Sequence, residues 1–228
     1  MKDVMLRGIE KRFGDVPVLR GVTMTLPAGK TTCLMGRSGC GKTTLFRILL
    51  GILPPDAGEV IGMPEKKAAV FQEDRLLPGF TARENVLFAM RHKDPAAADA
   101  CLTALGLGEA LCRPAAALSG GMCRRVAIAR ALMAESDFLA MDEPFKGLDG
   151  ETRASVVAYI RARTVGKTLL IITHEEEEAA LLGAPILHLE KKTPPHGGVF
   201  YSSNSHITRP GFLSFAQSTA QLPGKISR

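Results

Sequence analysis

The sequence predicts an α/β fold, a mostly parallel sheet covered by helices. Three observations predict it. Short, nearly continuous apolar runs recur along the chain: TTCLM at 31–35, AAVF at 68–71, FLAM at 138–141 and LLIIT at 169–173. Such runs suit strands buried on both faces. Between them lie stretches of helical patterning at 42–50 (closed by Gly51, Pro54 and Pro55), 82–91, 96–105, 122–133 and 151–163, and alternation of this kind is the mark of an α/β domain. The third observation is the exception at the start. VMLRGIEKRFGDVPVLRGVTMTL alternates apolar and polar residues around Val4/Leu6 and Val22/Met24/Leu26, with a turn near Gly14 and Asp15. That period of two predicts half-buried strands of an antiparallel hairpin.

Residues 76–117 carry helical patterning, many alanines and no strand signal, and read as a helical insertion into the α/β core. From Thr193 the composition shifts: the last residues contain no Asp or Glu and are rich in Ser, Gly and Pro, so 193–228 are expected to form an atypical, poorly ordered tail. The remainder, 1–192, is expected to be one domain.

Composition bounds the function without naming it. The 228 residues are 46% hydrophobic and 23% charged, enough for a globular core. No apolar run approaches the ~20 residues that cross a bilayer, and the charged start has no secretory core, so a cytosolic chain is expected. Five cysteines, with no metal-ligand spacing, read as free thiols. A formal charge of +6 suits nucleic acid, an acidic membrane surface or phosphates alike.

The chemistry is announced by GRSGCGKTT at 36–44. Gly36, Ser38, Gly39, Cys40, Gly41, Lys42, Thr43 and Thr44 form a phosphate loop between a predicted strand and a predicted helix. Glycines let the backbone wrap a phosphate chain, so that successive N–H groups and the helix N-terminus face its charge. Lys42 would meet the β- and γ-phosphates, and the Thr43 hydroxyl Mg²⁺. FLAMDEP at 138–144 brings Asp142 out at the C-terminal end of a buried strand, where ligands bind in open α/β sheets. A carboxylate there can hold Mg²⁺, and Glu143 beside it can act as general base. LLIITH sets His174 at the end of the next strand. Taken alone, a strand-end Asp-Glu pair or histidine is as compatible with a solvated surface.

LSGGMCRRVAIARAL at 118–132 opens a second helix on a serine and two glycines, with no lysine to grip a phosphate. Taken with VFQEDRLLP, GLD at 147–149 and the motifs above, in this order, the chain resembles the nucleotide-binding subunits of ABC transporters over about residues 2–190. The resemblance implies an ATP-hydrolysing subunit that works with Mg²⁺ as a head-to-tail homodimer. Gln72 would touch the metal and the attacking water, and Asp149 would lie at the dimer seam. Ser119, Gly120 and Gly121 would hold the γ-phosphate of ATP bound to the other subunit, which would explain a glycine-rich helix start without its own lysine. Capping of the helix by Ser119 is compatible with that role. Phe13 would stack on adenine, a hairpin-core phenylalanine being the rival reading.

LSGGM together with the TARENV segment looks like importers of the nitrate, sulfonate and taurine type. That branch implies a multi-span permease, an external solute-binding protein and a place on the cytoplasmic face of the membrane, with no nucleic acid expected. The competing readings are a soluble relative acting on nucleic acid or ribosomes, and a regulatory subunit outside transport. Several features depart from the family: a short linker from Gly51 to Gln72 and a short insertion before Leu118, which suggest a trimmed antiparallel β subdomain, Met122 and Cys123 after the signature glycines, Phe145-Lys146-Gly147 before Leu148 and Asp149, and the loss of the pattern after about Glu190.

Overall fold

Two sheets divide residues 1–190, which the computed structural model describes. The first is antiparallel, in the order β2-β1-β4: β1 (Val4–Phe13), β2 (Val16–Leu26) and β4 (Ala57–Ile61). The second is parallel, in the order β5-β6-β7-β3-β8: β3 (Thr31–Met35), β5 (Lys67–Val70), β6 (Phe138–Asp142), β7 (Thr168–Ile172) and β8 (Ile186–His188). Six helices follow the strands: α1 (Lys42–Leu49), α2 (Ala82–Ala89), α3 (Pro95–Ala104), α4 (Gly120–Met133), α5 (Gly150–Arg163) and α6 (Glu176–Leu182). The tail expected from 193 onward lies outside the described residues.

The apolar runs are continuous because successive side chains of one strand feed two cores. Leu139, Met141, Leu169, Ile171, Cys33 and Met35 point to the face covered by α2, α3, α4 and α5. Phe138, Ala140, Leu170, Ile172 and Leu34 point to the other, where α1 supplies Leu45, Phe46 and Leu49. The antiparallel sheet closes that second core with Val4, Leu6, Ile9, Leu19, Val22 and Leu26. Its outer face is exposed, which gives the hairpin its period of two.

The short linker does not abolish the β subdomain. Residues 57–61 form β4, which pairs with β1 from Met5↔Ile61 to Glu10↔Ala57. The 76–117 stretch holds α2, α3 and two single 3₁₀ turns. Its entry is fixed locally: Thr81 accepts from the Glu84 amide while Glu84 accepts from the Thr81 amide, a reciprocal cap on α2. Parallel register then sets the working edge. Asp142 pairs with Ile172 and Ile172 with Leu34, so the C-terminal ends of β6, β7 and β3 stand level.

Candidate functional site

Three strand ends at one edge of the parallel sheet place the residues singled out above. β3 runs into the phosphate loop, β6 ends at Asp142, and His174 follows β7 by two residues. The loop needs its glycines for space as well as for torsion. A Cβ on Gly36 would stand 2.4 Å from the Leu189 carbonyl oxygen and 2.8 Å from Cys40 Sγ. One on Gly41 would stand 2.6 Å from Leu19 Cδ2, at a φ of 106°. Gly41 is the N-cap of α1 and has no side chain to cap with, so the first amides of the helix are left to whatever anion lies before it. Ser38 and Gly39 are exposed at the loop tip, Cys40 is buried beneath it, and Thr44 is half-buried.

Lys42 donates to the carbonyl oxygens of Gly36 at 2.6 Å and Arg37 at 3.1 Å. Its ammonium therefore lies across the mouth of its own loop. Thr43 Oγ1 donates to Asp142 Oδ2 at 3.1 Å. Asp142 is 4% exposed, and burial pushes its carboxyl above the ordinary range, with the Glu143 charge adding to the rise. The Thr43 hydrogen bond and the charges of Lys42 and Arg124 pull the other way.

Glu143 leaves β6 in the left-handed region, at a φ of 49°, while its amide still donates to the Ile172 carbonyl oxygen at 2.9 Å. Non-glycine residues held at such torsions carry local strain and cluster at functional sites. One carboxylate oxygen faces Lys146 Nζ at 3.4 Å and the other faces His174 Nδ1 at 3.7 Å. His174 is itself mostly exposed, but its neighbours are tied down. Thr173 Oγ1 donates to Glu178 and accepts from the Glu175 amide, and Arg153 of α5 pairs with Glu175.

The other residues lie around this group rather than in it. Gln72 is exposed on the segment leaving β5, and its main-chain oxygen accepts from Arg124 of α4. Phe13 is 51% exposed at the end of β1, beside Val16 across the turn. Ser119 caps α4 by accepting from the Met122 amide at 3.3 Å, and a Cβ on Gly120 would meet nothing within 4 Å. Among the described residues no hydrogen bond or ion pair joins Ser119, Gly120 or Gly121 to the phosphate loop. Asp149 caps α5, accepting from the Thr152 amide and hydroxyl, which hold its carboxyl below the ordinary range.

Two sets of contacts escaped sequence reasoning. Lys146 was legible only as an unusual residue, and its ion pair with Glu143 depends on the turn through Phe145. Arg124 and Arg130 stood out only as positive charges on a helix, which in a sequence look like a solvated face. Arg124 is in fact 6% exposed.

The chain is similar to known proteins over most of its length. The family described as ABC transporter matches residues 19–146. An aliphatic sulfonates import ATP-binding protein of Rhizobium johnstonii is 39% identical over 202 residues, covering 82% of this chain and 74% of that protein. A protein of the same description from Corynebacterium glutamicum is 35% identical over 229 residues, covering 95% and 91%. A solved dimeric structure of a bacterial ABC transporter cassette matches with a TM-score of 0.73 at 28% identity, over 82% of this chain and 94% of that one.

Proposed function

The chain belongs to the ABC transporter family, among its ATP-binding subunits, and from that premise we propose that it energises the import of a small anionic solute of the aliphatic sulfonate kind. The observation that carries the chemistry is the Thr43–Asp142 contact at the mouth of the phosphate loop, with Glu143 one residue on. The sulfonate reading is supported by the descriptions of the relatives.

In this reading the amides of the loop and of the α1 N-terminus receive the phosphates of ATP. Lys42 exchanges the Gly36 and Arg37 carbonyls for the β- and γ-phosphate oxygens. Magnesium fits the donor set: a hydroxyl and a carboxylate, both hard oxygens, meet at 3.1 Å, and a cation would offset the burial of Asp142. Thr43, Asp142 and Gln72 would hold it, and it would neutralise charge on the β- and γ-phosphates. Glu143 accepts a proton from the water that attacks the γ-phosphorus, with His174 and Gln72 orienting the attack. The products are ADP and phosphate. Phe13, exposed at the hairpin end, offers a face to adenine.

The subunit works as a head-to-tail homodimer. Gly120 has open space before a helix N-terminus, and there Ser119, Gly120 and Gly121 approach the γ-phosphate held by the other subunit, with Asp149 at the seam. ATP contacts both subunits only when they are closed, so binding favours closure and hydrolysis releases it. The partner in the membrane is a multi-span permease, served from outside by a solute-binding protein. Among the described residues no helix is long and apolar enough to cross a membrane, and the chain would sit at the cytoplasmic face. Leu77, Phe80 and Phe88 support a docking region at 73–90: all three are exposed, and Phe80 and Phe88 meet edge to face at 5.0 Å.

The test is recovery of the tagged chain from detergent-solubilised membranes of its host. A multi-span permease should co-purify, and should be lost when Phe80 and Phe88 are changed to serine. Recovery of ribosomes or nucleic acid alone would remove the import reading and leave the ATPase standing.

A further inference from the structure

Helix α4 does more than present its N-terminus. Arg124 Nη1 donates to the Phe71 carbonyl oxygen at 2.7 Å and Nη2 to that of Gln72, while Nε pairs with Asp74 Oδ1 at 3.1 Å. Further along the same helix, Arg130 Nη1 donates to the Arg75 carbonyl oxygen at 2.7 Å and Nη2 to that of Asp74 at 2.8 Å. Four main-chain carbonyls of a five-residue segment are thus satisfied by two side chains of one helix. The segment is otherwise irregular. Arg75 sits at a φ of 47°, with its guanidinium 3.9 Å above the Phe71 ring.

Burying an arginine is costly unless its donors are used. Arg124 donates from two of its nitrogens to main-chain oxygens of this segment, and the third forms an ion pair with Asp74, whose Oδ1 has no hydrogen-bond partner among the described residues. The planar fork matters, because a lysine ammonium could not span the Phe71 and Gln72 carbonyls and the Asp74 carboxylate with fixed geometry. Asp74 completes the clamp. Burial raises its carboxyl above the ordinary range, while the charges of Arg124 and Arg130 oppose that rise.

We propose that Arg124 and Arg130 are positioning residues that lock the Gln72 segment to the helix begun by Ser119, Gly120 and Gly121. A displacement of the α4 N-terminus, such as engagement of a phosphate there, is then carried to Gln72 of the same subunit. The effect on chemistry rests on the role given to Gln72 above; the lock itself rests on the contacts alone.

A double-mutant cycle on the full chain separates the two. Arg124→Lys lowers kcat for ATP by about 2- to 30-fold, with KM unchanged, because the contacts of Lys42 and Thr43 are untouched. In a Gln72→Ala background the same substitution has no further effect on kcat. Amide hydrogen exchange speeds up at 71–75 and not at 36–44. Equal losses of kcat in both backgrounds, or unchanged exchange at 71–75, would overturn the proposal. If Gln72→Ala leaves kcat intact while Arg124→Lys still speeds exchange, the role of Gln72 falls and the lock stands. Arg130→Lys, at the more exposed end of the clamp, serves as the second variant should Arg124→Lys not fold.

Discussion

Thr43 Oγ1 lies 3.1 Å from Asp142 Oδ2, the hydroxyl on the first turn of α1 and the carboxylate at the end of β6, with β7 between their strands. The contact joins the phosphate loop to the sheet edge and fixes what each partner can do. It also leaves a buried carboxylate whose charge only that hydroxyl and nearby cations support.

Asp142→Asn should therefore abolish turnover and stabilise the nucleotide-free chain. The sign follows from linkage. The folded carboxyl is raised above its unfolded value, so the native state binds more protons and loses stability as pH rises through that interval. The amide has no such dependence. At neutral pH the variant should melt about 2–4 °C higher, what ~1 kcal/mol is worth in a domain of this size. The gap should close at acid pH. Glu178 is also raised by burial but is common to both chains, so the difference between them isolates Asp142. Identical melting curves across pH would contradict the account.

Lys42→Ala removes a charge-assisted donor, and fluorescent-nucleotide titration should show ATP affinity falling by about 10- to 150-fold. Unchanged affinity would mean that the phosphates lie elsewhere.

Gly36→Ala and Gly120→Ala should separate folding from function. The first meets backbone at 2.4 Å and should destabilise the loop and the chain. The second enters open space on the first turn of a helix, so the melting temperature should hold or rise slightly. Yet its methyl group would stand between the helix N-terminus and the partner's phosphate, and turnover should fall at least tenfold. If Gly120→Ala turns over like the wild type, the approach of the other subunit is not through this glycine.

Lys146→Ala frees one oxygen of Glu143 from an exposed ion pair. Such pairs are worth about 0–1 kcal/mol, so turnover should rise, by no more than about fivefold. A loss of more than tenfold in a steady-state assay would place Lys146 in the chemistry itself.

Which parts of this were legible in the sequence follows from burial. β3 lies at 31–35 as read, and β5, β6 and β7 within a residue, because the central residues of each strand pack into the two cores and are apolar. β4 was missed because AGEVI packs only along the edge of β1 and is largely exposed, leaving no pattern to read. β8 has three residues, and only its pairing with β3 makes it a strand. α6 hides in a run of glutamates, of which Glu178 is buried because Thr173 and Arg153 receive it from other elements. The phosphate loop could be read locally because its function needs contiguous residues. The lock formed by Arg124 and Arg130 could not, because its two halves are some fifty residues apart in the chain.

The trans completion of the ATP site is the centre of this account, and light scattering on Glu143→Gln tests it most directly. Loss of the proposed general base should cut turnover by about 10²- to 10⁴-fold and hold ATP in place. The account predicts a monomer without nucleotide, a dimer with ATP and Mg²⁺, and a return to monomer when Gly120→Ala is added. A Glu143→Gln chain that binds ATP and remains monomeric at saturation would contradict it.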